Sequence, residues 1–179
     1  ILAADESDAT AGKRLAIANL PNQPGNRQDF REILFTASGI EEYLSGVILY
    51  DTTLRESTDQ GIPFVDVLTA RGIVPGIKVD MGTQALPEFE GEVITLGLDK
   101  LDERFKEYYT IGARFAKWRG VITIGENIPS NECLELNATH MAEYALLAQH
   151  IGIVPTVEPE VLFPCNHSLE VAEEVTTRT

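Results

Sequence analysis

The chain has 179 residues, 44% of them hydrophobic, which is enough to bury the core of one globular unit and excludes a disordered chain. Its 14 basic and 28 acidic residues give a formal net charge of −14, which argues against a nucleic-acid partner or an anionic membrane. No apolar run of about 18 residues occurs, so the sequence predicts no membrane-spanning helix, and a cytoplasmic location is the default.

Short apolar segments alternate along the chain with longer amphipathic stretches, which is typical of βα units around a parallel sheet. The predicted strands span residues 1–4, 46–50, 74–79, 114–118 and 153–157. The predicted helices span residues 26–37, 64–70, 98–111, 131–150 and 167–179. Strand starts about 30 to 45 residues apart leave room for one helix each. This periodicity fits either a doubly wound sheet or most of a (β/α)8 barrel.

Charged residues follow or close four of the five predicted strands. They are Asp5 and Glu6 after the first, Lys78 and Asp80 at the third, Lys117 and Arg119 at the fourth, and Glu158 and Glu160 at the fifth. Strand residues two apart share one side of a sheet, so each of the last three pairs projects together. An internal ion-pair network would explain one such pair, whereas three pairs on successive strands favour a functional site.

The mixture of charges has a chemical meaning. Two lysines and an arginine form a local positive pocket in an acidic protein, which would attract a small phosphorylated anion. Carboxylates beside those lysines can take and return protons. The predicted site therefore suits the chemistry of a sugar phosphate.

Five segments resemble the signature blocks of class I fructose-bisphosphate aldolase, in the family's order and spacing. They are residues 2–7, 12–15, 76–80, 115–119 and 157–160. The resemblance implies a partial (β/α)8 TIM barrel, with about five of eight βα units and one incomplete domain over residues 1–179. The full-length enzyme would reversibly cleave fructose 1,6-bisphosphate to dihydroxyacetone phosphate and glyceraldehyde 3-phosphate, in glycolysis and gluconeogenesis. It would do so as a homotetramer, without a metal or other cofactor, through an imine between a lysine and the substrate ketone.

The resemblance also implies roles for individual residues. Glu158 would be the general acid and base for the imine, and Asp5 would take the proton of the C4 hydroxyl. Lys117 would lie beside the imine lysine, and Glu160 would hold the lysines in register. Substrate-binding residues would be Lys78 and Arg119 at one end, with Ser7, Thr10, Arg14 and Arg27 near the other phosphate. For Arg14 and Arg27 an ordinary solvated helix face is the alternative.

The chain departs from the family pattern in several places. The imine-forming lysine is expected in a stretch resembling Leu-Leu-Lys-Pro after the last predicted helix, and residues 1–179 contain no such stretch. We therefore expect a fragment that has no aldolase activity alone. Met81 stands where the family commonly has a lysine, and residues 163–166 replace an acidic loop.

Other functions fit the sequence less well or remain open beside this one. A zinc-dependent aldolase would need grouped histidines, whereas His140, His150 and His167 are scattered. Cys133 and Cys165 lack metal-site spacing and are interpreted as reduced thiols. Another Schiff-base aldolase, such as one for sedoheptulose 1,7-bisphosphate, or a non-catalytic sugar-phosphate binder stays possible. Residues 7–10 resemble plastid and bacterial members, so a plastid is an alternative location.

Overall fold

The computed structural model describes residues 1–163 and 166–179. Its strands are β1 (Leu2–Ala4), β2 (Gly46–Leu49), β3 (Val74–Lys78), β4 (Thr83–Ala85), β5 (Val93–Thr95), β6 (Phe115–Ile122) and β7 (Val154–Val161). Its helices are α1 (Asp8–Ile17), α2 (Pro24–Thr36), α3 (Asp51–Arg55), α4 (Phe64–Ala70), α5 (Leu101–Ile111), α6 (Asn131–Ile151) and α7 (Leu169–Arg178), with a 3-10 turn at Ile40–Glu42. Two compact units emerge: Ile1–Val79 with Lys106–Ala116, and Asp80–Phe105 with Lys117–Thr179.

The first unit is built on parallel strands. β1 pairs with β2, and β2 pairs with β3, in a register that aligns Ala4 with Leu49 and Leu49 with Ile77. All of β2 is buried, as expected of a strand covered on both faces. The Phe35 and Phe64 rings meet edge to face, with centroids 5.2 Å apart, and join α2 to α4.

In the same unit, two glycines make room for an aromatic ring between the strands. A Cβ atom at Gly76 on β3 would overlap the ring of Phe115, the first residue of β6. A Cβ atom at Gly46 on β2 would come within 3.1 Å of that ring. The missing side chain at Gly76 lets the buried ring lie against β3, and Gly46 leaves it close to β2.

The second unit contains the antiparallel hairpin of β4 and β5, most of β6, and the α6–β7 unit. Ser130 caps α6 by accepting from the N–H of Cys133, and Gly152 ends the helix in the left-handed conformation, with φ of 83°. The Tyr144 ring on α6 stacks on Trp118 of β6, with centroids 5.5 Å apart. The Tyr144 hydroxyl accepts from the N–H of Thr156 at 3.1 Å and donates to its carbonyl at 3.3 Å, which fixes α6 on β7.

The parallel sheet has the strand order β1-β2-β3-β6-β7, and β6 begins in the first unit and continues in the second. Each predicted strand is present, and the predicted alternation of strands and helices is confirmed. The predicted ends of two strands were wrong. β6 continues to Ile122 and β7 to Val161, where the sequence predicted ends at residues 118 and 157. The apolar residues after Arg119 and Glu160 prolong both strands.

This correction changes the placement of two charged pairs. Lys117, Arg119, Glu158 and Glu160 lie within β6 and β7 and do not close them. No prediction from the sequence covered α1, which lacks a clear hydrophobic period, or α3 and the β4–β5 hairpin, which are short. No helix within residues 1–163 and 166–179 has the length and apolar character needed to cross a membrane.

We expect Gly76→Ala to lower the free energy of unfolding by about 1–3 kcal/mol, because the new methyl group overpacks the strands against Phe115. Gly25→Ala is the matched control. Gly25 lies in α2 with no atom near the position of a Cβ, so its substitution should be neutral or stabilising by up to about 1 kcal/mol. Urea denaturation measures both. Equal effects of the two substitutions would contradict the packing described for Phe115.

Candidate active site

In the second unit, two successive ion pairs join β6 to β7. Nζ of Lys117 is 3.4 Å from Oε2 of Glu158, and Nε of Arg119 donates to Oε2 of Glu160. The pairs follow the two-residue repeat of both strands, so all four side chains share one side of the sheet. Two of the three predicted pairs, Lys117 with Arg119 and Glu158 with Glu160, are thus matched base to acid across neighbouring strands.

The two members of the first pair differ in their contact with water. The Lys117 side chain is 11% exposed, whereas that of Glu158 is 41% exposed. Oε2 of Glu158 is shielded and faces the lysine. The arrangement encloses a positive charge while keeping part of a carboxyl group open to solvent or to a ligand. A group of this kind can exchange protons with a bound substrate.

The first unit carries Asp5 and Lys78 at one edge of its sheet. Asp5 directly follows β1 and is buried, and Lys78 is the last residue of β3 and is half-buried. The register aligns the residues just before them, Ala4 and Ile77, through Leu49 of β2. Asp5 and Lys78 therefore occupy equivalent positions two strands apart, which corresponds to about 10 Å at the usual strand spacing.

The residues predicted near the other phosphate lie on or beside α1 and α2. Ser7 caps α1: its hydroxyl oxygen accepts from the N–H of Thr10 at 3.4 Å and lies 3.2 Å from the Thr10 hydroxyl. Arg14 pairs with Glu6 at 3.0 Å and is 59% exposed. Arg27 pairs with Asp8 at 3.2 Å and donates to Asn22 at 2.7 Å.

These contacts bear on the alternative for the two arginines. Arg27 is only 17% exposed and ties α2 to the start of α1, so it does not belong to an ordinary solvated helix face. Arg14 is exposed, and its guanidinium pairs with the carboxylate of Glu6. Of the pair, Arg14 is the one whose charge an anion in solution can reach.

One residue of this region was missed in the sequence. Arg31 on α2 is 2% exposed and binds the carboxylate of Glu6. Arg31 stands four residues before the buried Phe35, and residues four apart lie on the same face of a helix. This spacing was the signal that could have identified Arg31 as an inward-facing charge.

The cysteines and the possible metal ligands are the remaining candidate groups. Cys133 is a buried free thiol at the start of α6, and Cys165 lies outside the described residues. Burial raises the pKa of the Cys133 thiol to about 11, with the Glu92 carboxylate adding to the effect. Within the described ranges, no three His, Cys, Asp or Glu side chains are grouped as metal ligands.

Successive parallel strands, each followed by a helix, are the arrangement from which a (β/α) barrel is built. The family model described as "Fructose-bisphosphate aldolase class-I" matches residues 1–179. The chain therefore belongs to the class I fructose-bisphosphate aldolase family, and the predicted resemblance is confirmed.

Individual relatives agree with this assignment. A probable class 1 fructose-bisphosphate aldolase from Xanthomonas axonopodis pv. citri is 51% identical over all of this chain and 54% of its own length. The cytoplasmic isozyme 2 from Pisum sativum is 51% identical over 99% of this chain and 50% of its own length. The chain spans about half the length of the curated relatives it matches.

A solved structure extends the likeness to the backbone. Fructose-bisphosphate aldolase from Plasmodium falciparum, crystallised with TRAP and a small-molecule inhibitor, is 43% identical and gives a TM-score of 0.97. The match covers 99% of this chain and 52% of that one. The predicted fold class, a partial TIM barrel, is confirmed.

We expect Cys133 to resist alkylation at pH 8, because a pKa of about 11 leaves about one thiol in a thousand ionised. A Cys165→Ser variant isolates the signal of Cys133. Its labelling by iodoacetamide should be slow in the folded protein, should rise about tenfold per pH unit towards pH 10, and should be rapid in urea. Fast labelling of the folded variant at pH 8 would contradict the burial of this thiol.

Proposed function

We propose that this chain supplies the acid–base and substrate-binding residues of a fructose-bisphosphate aldolase. The reaction is the reversible cleavage of fructose 1,6-bisphosphate to dihydroxyacetone phosphate and glyceraldehyde 3-phosphate. The observation that carries the proposal is the contact between the enclosed amine of Lys117 and the accessible carboxyl group of Glu158. Membership of the aldolase family selects this chemistry among those that such a pair can perform.

In this proposal Glu158 transfers protons while the imine between enzyme and substrate forms and breaks. It is suited to that task because part of its carboxyl group is accessible, while its shielded oxygen faces a positive charge. The charge of Lys117 also disfavours protonation of a second amine nearby, which keeps that amine nucleophilic. Glu160 holds Arg119 in place for a substrate hydroxyl or phosphate group.

Asp5 is proposed as the base that takes the proton of the C4 hydroxyl when the carbon–carbon bond breaks. It is buried at the end of β1, in line with Lys78 at the end of β3. Lys78 offers a positive charge to a substrate oxygen at the same edge of that sheet. Neither role requires a metal ion or another cofactor.

The other phosphate group is assigned to the start of α1 and to Arg14. Of the two arginines, Arg14 is accessible, whereas Arg27 is engaged with Asp8 and Asn22 and holds α1 and α2 together. Ser7 and Thr10 lie at the first turn of α1, where backbone N–H groups favour an anion. A positive site of this kind in a protein of net charge −14 concentrates a ligand that carries phosphate groups.

The imine-forming lysine is expected in a Leu-Leu-Lys-Pro stretch, which residues 1–179 do not contain. We therefore propose that it comes from outside these residues. A cytosolic aldolase from Arabidopsis thaliana and a cytoplasmic isozyme from Pisum sativum are among the relatives, so we propose a cytoplasmic location. A plastid location and a homotetrameric assembly stay predictions from the sequence.

A polypeptide of residues 1–179 alone should give no turnover of fructose 1,6-bisphosphate above background, because it lacks the lysine expected to form the imine. A coupled assay for glyceraldehyde 3-phosphate measures this. The full gene product should cleave the substrate and gain a substrate adduct on reduction with borohydride. Turnover by residues 1–179 alone would refute the assignment of the missing amine.

Glu158→Gln in the full gene product should lower kcat by about 100-fold or more, because an amide cannot transfer the proton. Glu143→Gln is the matched control, since Glu143 is an exposed residue on α6, and it should leave kcat unchanged. Borohydride trapping after a short incubation should show slower imine formation in Glu158→Gln only. Equal kcat values for both variants would remove Glu158 from the acid–base role.

A comparison of substrates tests the closest alternatives. We expect kcat/KM for fructose 1,6-bisphosphate to exceed that for sedoheptulose 1,7-bisphosphate. The reverse order would identify the related Schiff-base aldolase. Binding of both sugars without any trapped adduct would identify a non-catalytic binder.

A further inference from the structure

Glu6 lies between two arginines from different helices, and its carboxylate binds both. Oε1 of Glu6 is 3.0 Å from Nη1 of Arg14 on α1, and Oε2 accepts from Nη1 of Arg31 on α2. Nη2 of Arg31 also donates to the backbone carbonyl of Glu6 at 3.0 Å. We call these three residues the Glu6 cluster. Two positive charges and one negative charge leave the cluster with a net charge of +1.

The two arginines of the cluster differ in their freedom to move. Arg31 is 2% exposed, and its guanidinium lies over the Phe30 ring at 5.1 Å. Separating a buried pair of this kind is costly, so Arg31 and Glu6 stay together. Arg14 is 59% exposed, and exposed ion pairs are weak. The bond between Arg14 and Glu6 is thus the one that an incoming anion can replace.

Building on the proposed function, we infer that Arg31 is a positioning residue that neutralises Glu6 from the buried side and leaves Arg14 available to a phosphate group of the substrate. Without Arg31, the carboxylate would face Arg14 alone, and the net charge of the pair would be zero. A phosphate group would then have to displace the Glu6 carboxylate from Arg14, and no other arginine would neutralise that carboxylate. Because guanidinium binds phosphate and carboxylate through the same N–H groups, the two anions compete directly.

Arg31 also anchors α2 to the residue that follows Asp5, so a purely structural role must be separated from this one. A structural role would affect every ligand alike. The inferred role acts only through Arg14 and only on a ligand that carries the phosphate group Arg14 contacts. It should also disappear when the charge of Glu6 is removed.

The test uses the full gene product and calorimetric titration with three ligands: fructose 1,6-bisphosphate, fructose 1-phosphate and fructose 6-phosphate. Arg31→Met should raise Kd for the bisphosphate and for one monophosphate by about fivefold, the scale of an accessible charge pair, and should leave the other monophosphate unchanged. Glu6→Gln/Arg31→Met should restore the wild-type Kd values. In an Arg14→Gln background, Arg31→Met should have no further effect.

Two variants guard against loss of folding. Arg31→Lys keeps the positive charge and should keep the bisphosphate affinity even if its melting temperature falls. Arg71→Met is the matched control, because Arg71 lies in the same unit but binds Glu41 and the backbone carbonyls of Thr36 and Ala37. It should leave all three Kd values unchanged. Circular dichroism shows which variants are folded.

Several results would overturn the inference. They are equal weakening of all three ligands by Arg31→Met, failure of the Glu6→Gln double variant to restore binding, and an undiminished effect in the Arg14→Gln background. A wild-type protein that binds the ligands with the expected pattern but does not cleave them would defeat the proposed function and leave this inference standing. A wild-type protein that binds none of the three ligands would overturn both.

Discussion

The pairing of charges between β6 and β7 is the constraint on which the site in the second unit depends. An enclosed ammonium group is stable only beside a negative partner, and the neighbouring strand supplies one to Lys117. The second pair, Arg119 with Glu160, repeats the arrangement two residues further on. Parallel pairing with a fixed register is what makes both matches possible at once. The sheet therefore determines the electrostatics of the site as well as its shape.

In the first unit, a buried charge is paired through helices. The carboxylate of Glu6 joins the end of β1 to α1 and α2 through two arginines, one buried and one accessible. The buried pair supplies rigidity beside Asp5, while the accessible pair offers an exchangeable charge. Both units thus place a protected ion next to one that solvent can reach.

The sequence was sufficient for the alternation of strands and helices and for the family, because apolar periodicity and contiguous motifs are local signals. The sequence did not show where β6 and β7 end, because a strand continues as long as its neighbour offers hydrogen bonds. At the end of this pairing, the N–H of Leu162 donates to the carbonyl of Ile122. The hairpin was missed because its strands are short. Arg31 was missed because an arginine is usually exposed, and its partner lies 25 residues earlier in the chain.

The hydroxyl of Tyr144 has a mechanical consequence for the second unit. It occupies both the donor and the acceptor of one peptide residue of β7, Thr156. Sliding α6 by one turn, about 5.4 Å, would break the hydrogen bonds that Tyr144 makes with the N–H and the carbonyl of Thr156. A displacement of this 21-residue helix that keeps both hydrogen bonds must move β7 with it, so the helix and the strand are expected to move together.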